Sequence, residues 1–166
     1  MAIIIKGKEV AQKIRNNLKE EVSELKKNGK TLKFAVIMVG DNSASKIYIK
    51  NKSKACEEVG IDCEEYILNS NIEMNELLEL IKTLNNREDI HGILLQSPIP
   101  AHLDIEEAFR TISPEKDVDG FNPVNVGKLC LGQDCFIACT PLGVMKLLEE
   151  YNIDLEGKNA VVIGRS

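Results

Sequence analysis

Leu32-Lys-Phe-Ala-Val-Ile-Met-Val39-Gly-Asp-Asn-Ser43-Ala-Ser-Lys-Ile-Tyr48-Ile-Lys-Asn-Lys52-Ser-Lys-Ala-Cys-Glu-Glu-Val-Gly60 is the stretch that decides the fold. Phe34 to Val39 is the longest apolar run in the chain. A run of that length without polar alternation reads as a strand buried on both faces. Gly40-Asp41-Asn42 turns the chain, and a Ser or Asp beside it is expected to cap the helix that follows. Gly60 ends that helix. With Tyr48 set at zero and ~100° per residue, Lys52 falls at about 40°, Ala55 at about 340°, Cys56 at about 80° and Val59 at about 20°. Lys46, Lys50, Lys54 and Glu57 gather on the opposite side. The reading therefore places Tyr48 and Lys52 together on the buried side of the helix.

A lysine on an apolar stripe is a candidate proton acceptor, because burial disfavours its charged form. The phenol one turn earlier can hydrogen-bond a substrate or the amine, and its ring can pack on a flat ligand. The plainer alternative is a lysine that carries its head to water over a buried stem, beside a tyrosine that fills core.

Strands and helices alternate outward from this stretch. A short apolar start, Ile3 to Ile5, leads to a helix near Lys8 to Lys27 with Val10, Ile14, Leu18, Val22 and Leu25 on one stripe. Asn28-Gly29 closes it. A strand is expected near Asp62 to Leu68, a helix over Met74 to Asn85, a strand over His91 to Leu95 and a short helix over Ile105 to Ile112. Gln96-Ser-Pro-Ile-Pro100 reads as a stiff loop. Prolines and glycines punctuate Ser113 to Cys139, which shows no clear period. Thr140-Pro141 reads as the cap and first residue of a helix carrying Leu142, Met145, Leu148 and Tyr151. Asn159 to Ile163 reads as a strand and Gly164-Arg165-Ser166 as the turn at its end. Such alternation implies an α/β fold, a mostly parallel sheet with helices on both faces. Ligands of these sheets bind at the carboxyl ends of the strands. Tyr48, Lys52 and Gln96 are thereby sent to one rim.

Composition narrows the function. The chain has 166 residues and a formal net charge of -5, with 28% charged residues, so no basic face dominates as a nucleic-acid surface would require. No stretch approaches the ~18 apolar residues of a membrane helix, and the start lacks the basic lead of a signal peptide. A cytoplasmic protein is expected. Five cysteines, an odd number, suit a reducing compartment. Cys56 and Cys63 read as small core residues. Cys130, Cys135 and Cys139 lack metal-ligand spacing, so no metal is expected.

Two further groups suggest chemistry. Asp119, in Lys116-Asp-Val-Asp-Gly-Phe121, is a carboxylate able to accept two parallel N–H bonds from an amino-pyrimidine edge. An arginine and a hydroxyl after an apolar strand, as in Gly164-Arg165-Ser166, can hold a phosphate and favour NADP.

Taken in order, the Tyr48-x-x-x-Lys52 helix, Gly92-Ile-Leu-Leu-Gln96-Ser-Pro-Ile-Pro100, Lys116-Asp-Val-Asp-Gly-Phe121, Asn125-Val-Gly127, Cys139-Thr-Pro-Leu-Gly143 and Val162-Ile-Gly-Arg-Ser166 closely resemble the bifunctional methylenetetrahydrofolate dehydrogenase/methenyltetrahydrofolate cyclohydrolase family. The resemblance implies a folate-binding catalytic domain over residues 1–139 and the start of an NADP-binding Rossmann domain over 140–166, with the chain cut short inside the latter. It implies oxidation of 5,10-methylenetetrahydrofolate with NADP, then hydrolysis to 10-formyltetrahydrofolate, in one-carbon metabolism feeding purine and amino-acid biosynthesis. Lys52 matches the proton-transfer lysine, Tyr48 the tyrosine packed on the folate, Gln96 the glutamine that tunes the lysine, and Asp119 the carboxylate that grips the pterin. Tyr48, Lys52, Leu95, Gln96, Ser97 and Asp119 are the implied substrate contacts, and Gly164, Arg165 and Ser166 the implied cofactor contacts. A homodimer is implied for the full-length protein. Ser97, Asn122 and Ala138 stand where the family commonly has leucine, histidine and proline, and read as peripheral departures. Two other readings compete: a folate-binding fragment that does no chemistry, and a short-chain dehydrogenase with a Tyr-x-x-x-Lys pair. The second requires a glycine-rich nucleotide loop near the start, which Ile3-Ile-Ile-Lys-Gly-Lys-Glu-Val10 does not provide.

Overall fold

A computed structural model describes residues 4–164. Three parallel strands form a sheet in the order β2-β1-β3: β1 is Lys33–Val39, β2 is Asp62–Leu68 and β3 is Gly92–Gln96. Lys33 pairs with Asp62 on one side, and Phe34 pairs with Gly92 on the other. The central place of β1 accounts for its apolar run. Ala35, Ile37 and Val39 face one layer, and Val36 and Met38 face the other. The larger core joins the first set to Leu77, Ile81 and Leu84 of α3 (Met74–Asn86) and Ala108 of α4 (Ile105–Thr111). The smaller core joins Val36, Met38 and Leu94 to Ile49 of α2 (Ser43–Val59). Helices thus cover both faces of the sheet, as expected of an α/β fold. Helix α1 (Gly7–Lys27) packs on α2 from outside.

Several expectations change on contact with the structure. The side chain that caps α2 is Asn42, which accepts from the Ser45 backbone N–H, rather than a Ser or Asp. Only Val10 and Val22 of the α1 stripe are buried; Ile14 and Leu18 stay partly open along a groove toward α6 (Cys139–Glu150). An additional helix, α5 (Pro123–Cys130), lies in the stretch that showed no period. Its signal was Asn122-Pro123, a cap followed by proline at the first helical position. Asn122 accepts from Val124 N–H at 2.8 Å. At α6 the helix begins at Cys139, with Ala138 before it, so Thr140 is not the cap. Its Leu142 and Met145 are exposed, and α6 is held instead through the Tyr151 hydroxyl, which accepts from Lys6 N–H at 2.9 Å.

Asn159 to Ile163 is not a strand. Val161, Val162 and Ile163 are 85%, 93% and 96% exposed. A strand persists only as a member of a ladder, and among the described residues none lies beside this segment. No helix among the described residues is long and apolar enough to cross a membrane.

The open edge of the sheet is tied by charge. Arg87 donates to both Glu64 oxygens on β2, at 2.8 and 3.1 Å, and to Asp89 at 2.6 and 2.9 Å. Lys33 bridges Glu64 and Asp89 at 2.9 and 2.8 Å. Arg87 above all, with Tyr66 and Lys33, holds the Glu64 carboxyl down at about 2. A carboxyl so depressed stabilises the fold above its unfolded value, and that contribution fades as pH falls toward the folded one. Arg87→Gln is expected to lower the melting temperature at pH 7, with the gap to wild type closing between about pH 4.5 and pH 2. Thermal melts across that range check it; a gap independent of pH refutes the assignment.

Candidate functional site

Two chain segments far apart in sequence meet at the carboxyl rim of the sheet. Lys52 comes from the third turn of α2 and Gln96 from the last position of β3. The lysine Nζ donates to Gln96 Oε1 at 3.0 Å. Gln96 is itself oriented, because its Nε2 donates to the Ser97 carbonyl at 2.8 Å. With its N–H₂ group committed there, the amide turns its oxygen to the lysine. Leu95, one residue back, is buried in the larger core. Ser97 is exposed.

Tyr48 and Lys52 do not share the buried side of α2 as expected. Ser45, Ile49 and Val59 form that side, which centres nearer Ile49 than Tyr48. Lys52 falls within that arc and is half-buried, as the wheel implied, whereas Tyr48 lies outside it and is 61% exposed. The helical wheel gave the relative angles correctly. It could not say which arc the sheet would cover, because α2 packs Ile49 on Val36, Met38 and Leu94. The phenol ring therefore stands open on the rim.

Asp119 lies on a loop with four restraints. Ile93 N–H donates to the Lys116 carbonyl at 2.7 Å, and Asp117 forms a parallel bridge with Ile93, so the loop lies along the edge of β3. Val118 packs into the α2-side core, against the space left by Gly92. Asp117 is 2% exposed and accepts from Asn122 N–H at 2.8 Å and Asn125 Nδ2 at 2.9 Å. Lys116 sends its ammonium into the carbonyl end of α3, to Asn85 and Arg87 oxygens at 2.7 Å each. Lys116 and Asp117 are thus anchors, and Asp119 is the acid of this loop left to the site. Burial pushes its carboxyl up, the Asp117 charge adds to that, and Lys52 opposes it.

Asn122, read from the sequence as peripheral, is 3% exposed and central to this anchor. Its amide donates to the Ile112 carbonyl at 2.8 Å while its backbone N–H holds Asp117. Sequence reasoning also missed Cys139 beside Asp119. Burial raises its thiol, and the Asp119 carboxyl raises it further. Nothing in the spacing from residue 119 to residue 139 announces that meeting. Gly164 is exposed, with open space where a Cβ would stand, and Arg165 and Ser166 lie outside the described residues. The described residues alone thus form no enclosed site for a nucleotide phosphate. No group of His, Cys, Asp and Glu among them is arranged to hold a metal ion.

A lysine, a carboxamide and a partly buried carboxyl at the carboxyl rim of a parallel sheet make the class of site that α/β enzymes use for proton transfer. Comparison with known proteins gives the family. Residues 5–119 match the model of the tetrahydrofolate dehydrogenase/cyclohydrolase catalytic domain, and residues 138–166 match that of its NAD(P)-binding domain. The chain belongs to the tetrahydrofolate dehydrogenase/cyclohydrolase family. It is 53% identical over 163 residues to the bifunctional protein FolD of Lysinibacillus sphaericus, covering 98% of this chain and 57% of that protein. The crystal structure of the bifunctional enzyme FolD, a methylenetetrahydrofolate dehydrogenase/cyclohydrolase from Campylobacter jejuni, superposes with a TM-score of 0.97 at 53% identity, over 99% of this chain and 58% of that one. The Trypanosoma brucei dehydrogenase-cyclohydrolase, solved with NADP and an inhibitor, gives 0.90 at 34% identity, over 95% of this chain and 54% of that one. The chain spans a little over half the length of these relatives. The family assignment replaces the short-chain dehydrogenase reading of Tyr48 and Lys52.

Two outcomes follow for the loop. A Cβ on Gly120, at φ 69°, would sit 2.7 Å from Ala138 N and 2.8 Å from the Ile137 carbonyl carbon, so backbone on both sides must move. Gly120→Ala is expected to cost on the order of 2–3 kcal/mol in urea unfolding, and a loss under about 0.5 kcal/mol contradicts the packing. Asp119 has the opposite character. A carboxyl raised by burial destabilises the fold once pH exceeds its unfolded value. Asp119→Asn is therefore expected to raise the melting temperature at pH 7 and to leave it unchanged near pH 3. Equal effects at both pH values count against a buried, functional carboxyl.

Proposed function

We propose that this chain is the folate-side part of an NADP-dependent methylenetetrahydrofolate dehydrogenase/methenyltetrahydrofolate cyclohydrolase. The observation that carries the reading is the 3.0 Å Lys52–Gln96 hydrogen bond, made across the rim beside a partly buried carboxyl. Family membership supports the pair of activities, and the Campylobacter jejuni relative is known as both a dehydrogenase and a cyclohydrolase. Residues 1–139 form the folate and catalytic domain, and 140–166 open the nucleotide domain. The substrate is a tetrahydrofolate derivative. The full-length protein works as a homodimer in the cytoplasm, without nucleic-acid or membrane partners.

In this reading each residue has a chemical task. Tyr48 offers its exposed ring face to the flat pteridine system. Asp119 accepts two N–H bonds from the amino-pyrimidine edge, and Leu95 and Ser97 line the approach. NADP, when bound, supplies the hydride acceptor, and Gly164, Arg165 and Ser166 belong to its site. Loss of hydride from the methylene carbon leaves a cation. An uncharged amine is better tolerated beside that cation than an ammonium. Water then adds to the same carbon and must lose a proton, which Lys52 takes. Gln96 fixes the nitrogen at the distance that transfer requires.

In the full-length protein, Lys52→Met is expected to reduce hydrolysis of the methenyl substrate by about 10²–10⁴-fold, with the melting temperature unchanged. Decay of methenyl absorbance measures it. Hydrolysis within about twofold of wild type removes Lys52 from the role. Titration of the 166-residue chain with folic acid tests the binding half separately; no saturable binding means that this segment alone does not form the folate site.

A further inference from the structure

We propose that Cys139, at the first position of α6, is a positioning residue for Asp119 that ties the nucleotide-side segment to the carboxyl reading the folate; the proposal rests on the role given to Asp119 above. Three observations place the thiol there. Cys139 Sγ donates to the Val118 carbonyl at 3.5 Å, one residue from Asp119. Gly120, the residue on the other side of Asp119, lies flat on the backbone of Phe136, Ile137 and Ala138, with no room for even a methyl group. Asp119 is therefore framed between two residues that are each fastened to the strand of chain leading into Cys139. The thiol also lies beside the carboxyl, so that its single S–H, held at the Val118 carbonyl, is within reach of Asp119, where a donor favours the ionised form.

The charged groups around Asp119 come from three elements. Lys52 on α2 favours its ionised form, Asp117 on its own loop opposes it, and the Cys139 S–H on α6 favours it. Cys139 is the member of this set that comes from residues 138–166, the segment matched to the NAD(P)-binding domain. Burial and the Asp119 charge both hold the thiol in its protonated state, which is the state that can donate. Cys139 is thus suited to hydrogen bonding rather than to nucleophilic attack, despite its exposure.

The consequence is a defined pH signature. The carboxylate form of Asp119 is the one that accepts two N–H bonds, so ligand binding strengthens as pH rises through its titration. Removing the thiol donor makes ionisation harder and moves that midpoint upward. A purely structural loss weakens binding at every pH and leaves the midpoint in place.

Folic acid titrations of the 166-residue chain between pH 4 and pH 8 test this, using wild type, Cys139→Ala, Cys139→Ser and Asp119→Asn. Cys139→Ala is expected to shift the midpoint to higher pH and to weaken binding by about threefold below it. Cys139→Ser, which restores a donor, is expected to return the midpoint to the wild-type value or below. Asp119→Asn is expected to remove the pH dependence. An unmoved midpoint in Cys139→Ala, with Asp119→Asn still flat, overturns the role of Cys139 and leaves that of Asp119 standing. Unchanged binding in Asp119→Asn overturns both. Should Cys139→Ala fail to fold, Cys139→Ser decides alone: a midpoint at or below wild type supports the donor, and an upward shift refutes it.

Discussion

A buried carboxylate with two N–H donors, Asp117, is the interaction on which the site depends. An acid that is 2% exposed is tolerable only when it is hydrogen-bonded. The backbone N–H of Asn122 and the side-chain amide of Asn125 both donate to its Oδ2, at 2.8 and 2.9 Å. Both donors lie at the start of α5, where unpaired backbone N–H groups already favour negative charge. The carboxylate thereby fastens the loop over 116–121 to α5 on one side and, through its bridge with Ile93, to β3 on the other. Val118 adds an apolar plug in the smaller core. Asp119 is consequently held mainly by its neighbours, with the Cys139 thiol beside its carboxyl.

The same division of labour runs through the rest of the rim. Residues that hold the frame are buried and hydrogen-bonded, as with Asp117, Asn122 and Asn125. Residues left for chemistry are half-open and under-bonded. Gln96 gives its N–H₂ group to Ser97 and keeps its oxygen for Lys52. Tyr48 keeps its ring exposed. In an isolated domain an exposed aromatic ring is a loss of burial, and a partly buried carboxyl is a cost. Costs of this kind, gathered at one rim, are what functional sites carry in exchange for stability.

The sheet was legible because its signals are local. The apolar run of β1, the Gly60 stop and the α3 period each follow from a few consecutive residues, and β2 was placed at Asp62–Leu68 as observed. The meeting of Lys52 with Gln96 was legible too, since both leave the carboxyl end of a parallel sheet. What failed was whatever depended on a neighbour. The wheel of α2 gave angles but not the covered arc. The apolar segment before Gly164 read as a strand on composition, yet strand formation needs a paired edge. Glycines and prolines mask helix α5, whose start signal is the Asn122 cap followed by Pro123. A family pattern makes Asn122 peripheral, whereas its buried amide donates to the Ile112 carbonyl.

Besides the contact of α1 with α6, the folate-side loop and the chain entering α6 meet in a narrow seam. On one side are Val118, Asp119 and Gly120; on the other are Phe136 to Cys139. Backbone rests on backbone there, because the missing side chain of Gly120 allows it. Side-chain contacts can slide by changing rotamer, but a backbone-on-backbone contact transmits displacement with little slack. Any shift at the start of α6 is therefore felt at Gly120, and through Gly120 at the adjacent Asp119. Lys52 and Gln96 do not share this path, since they are fixed by α2 and β3 alone. The rim thus separates two mechanical functions. The lysine and its carboxamide are bolted to the sheet, while the Asp119 carboxyl is coupled to the chain entering α6.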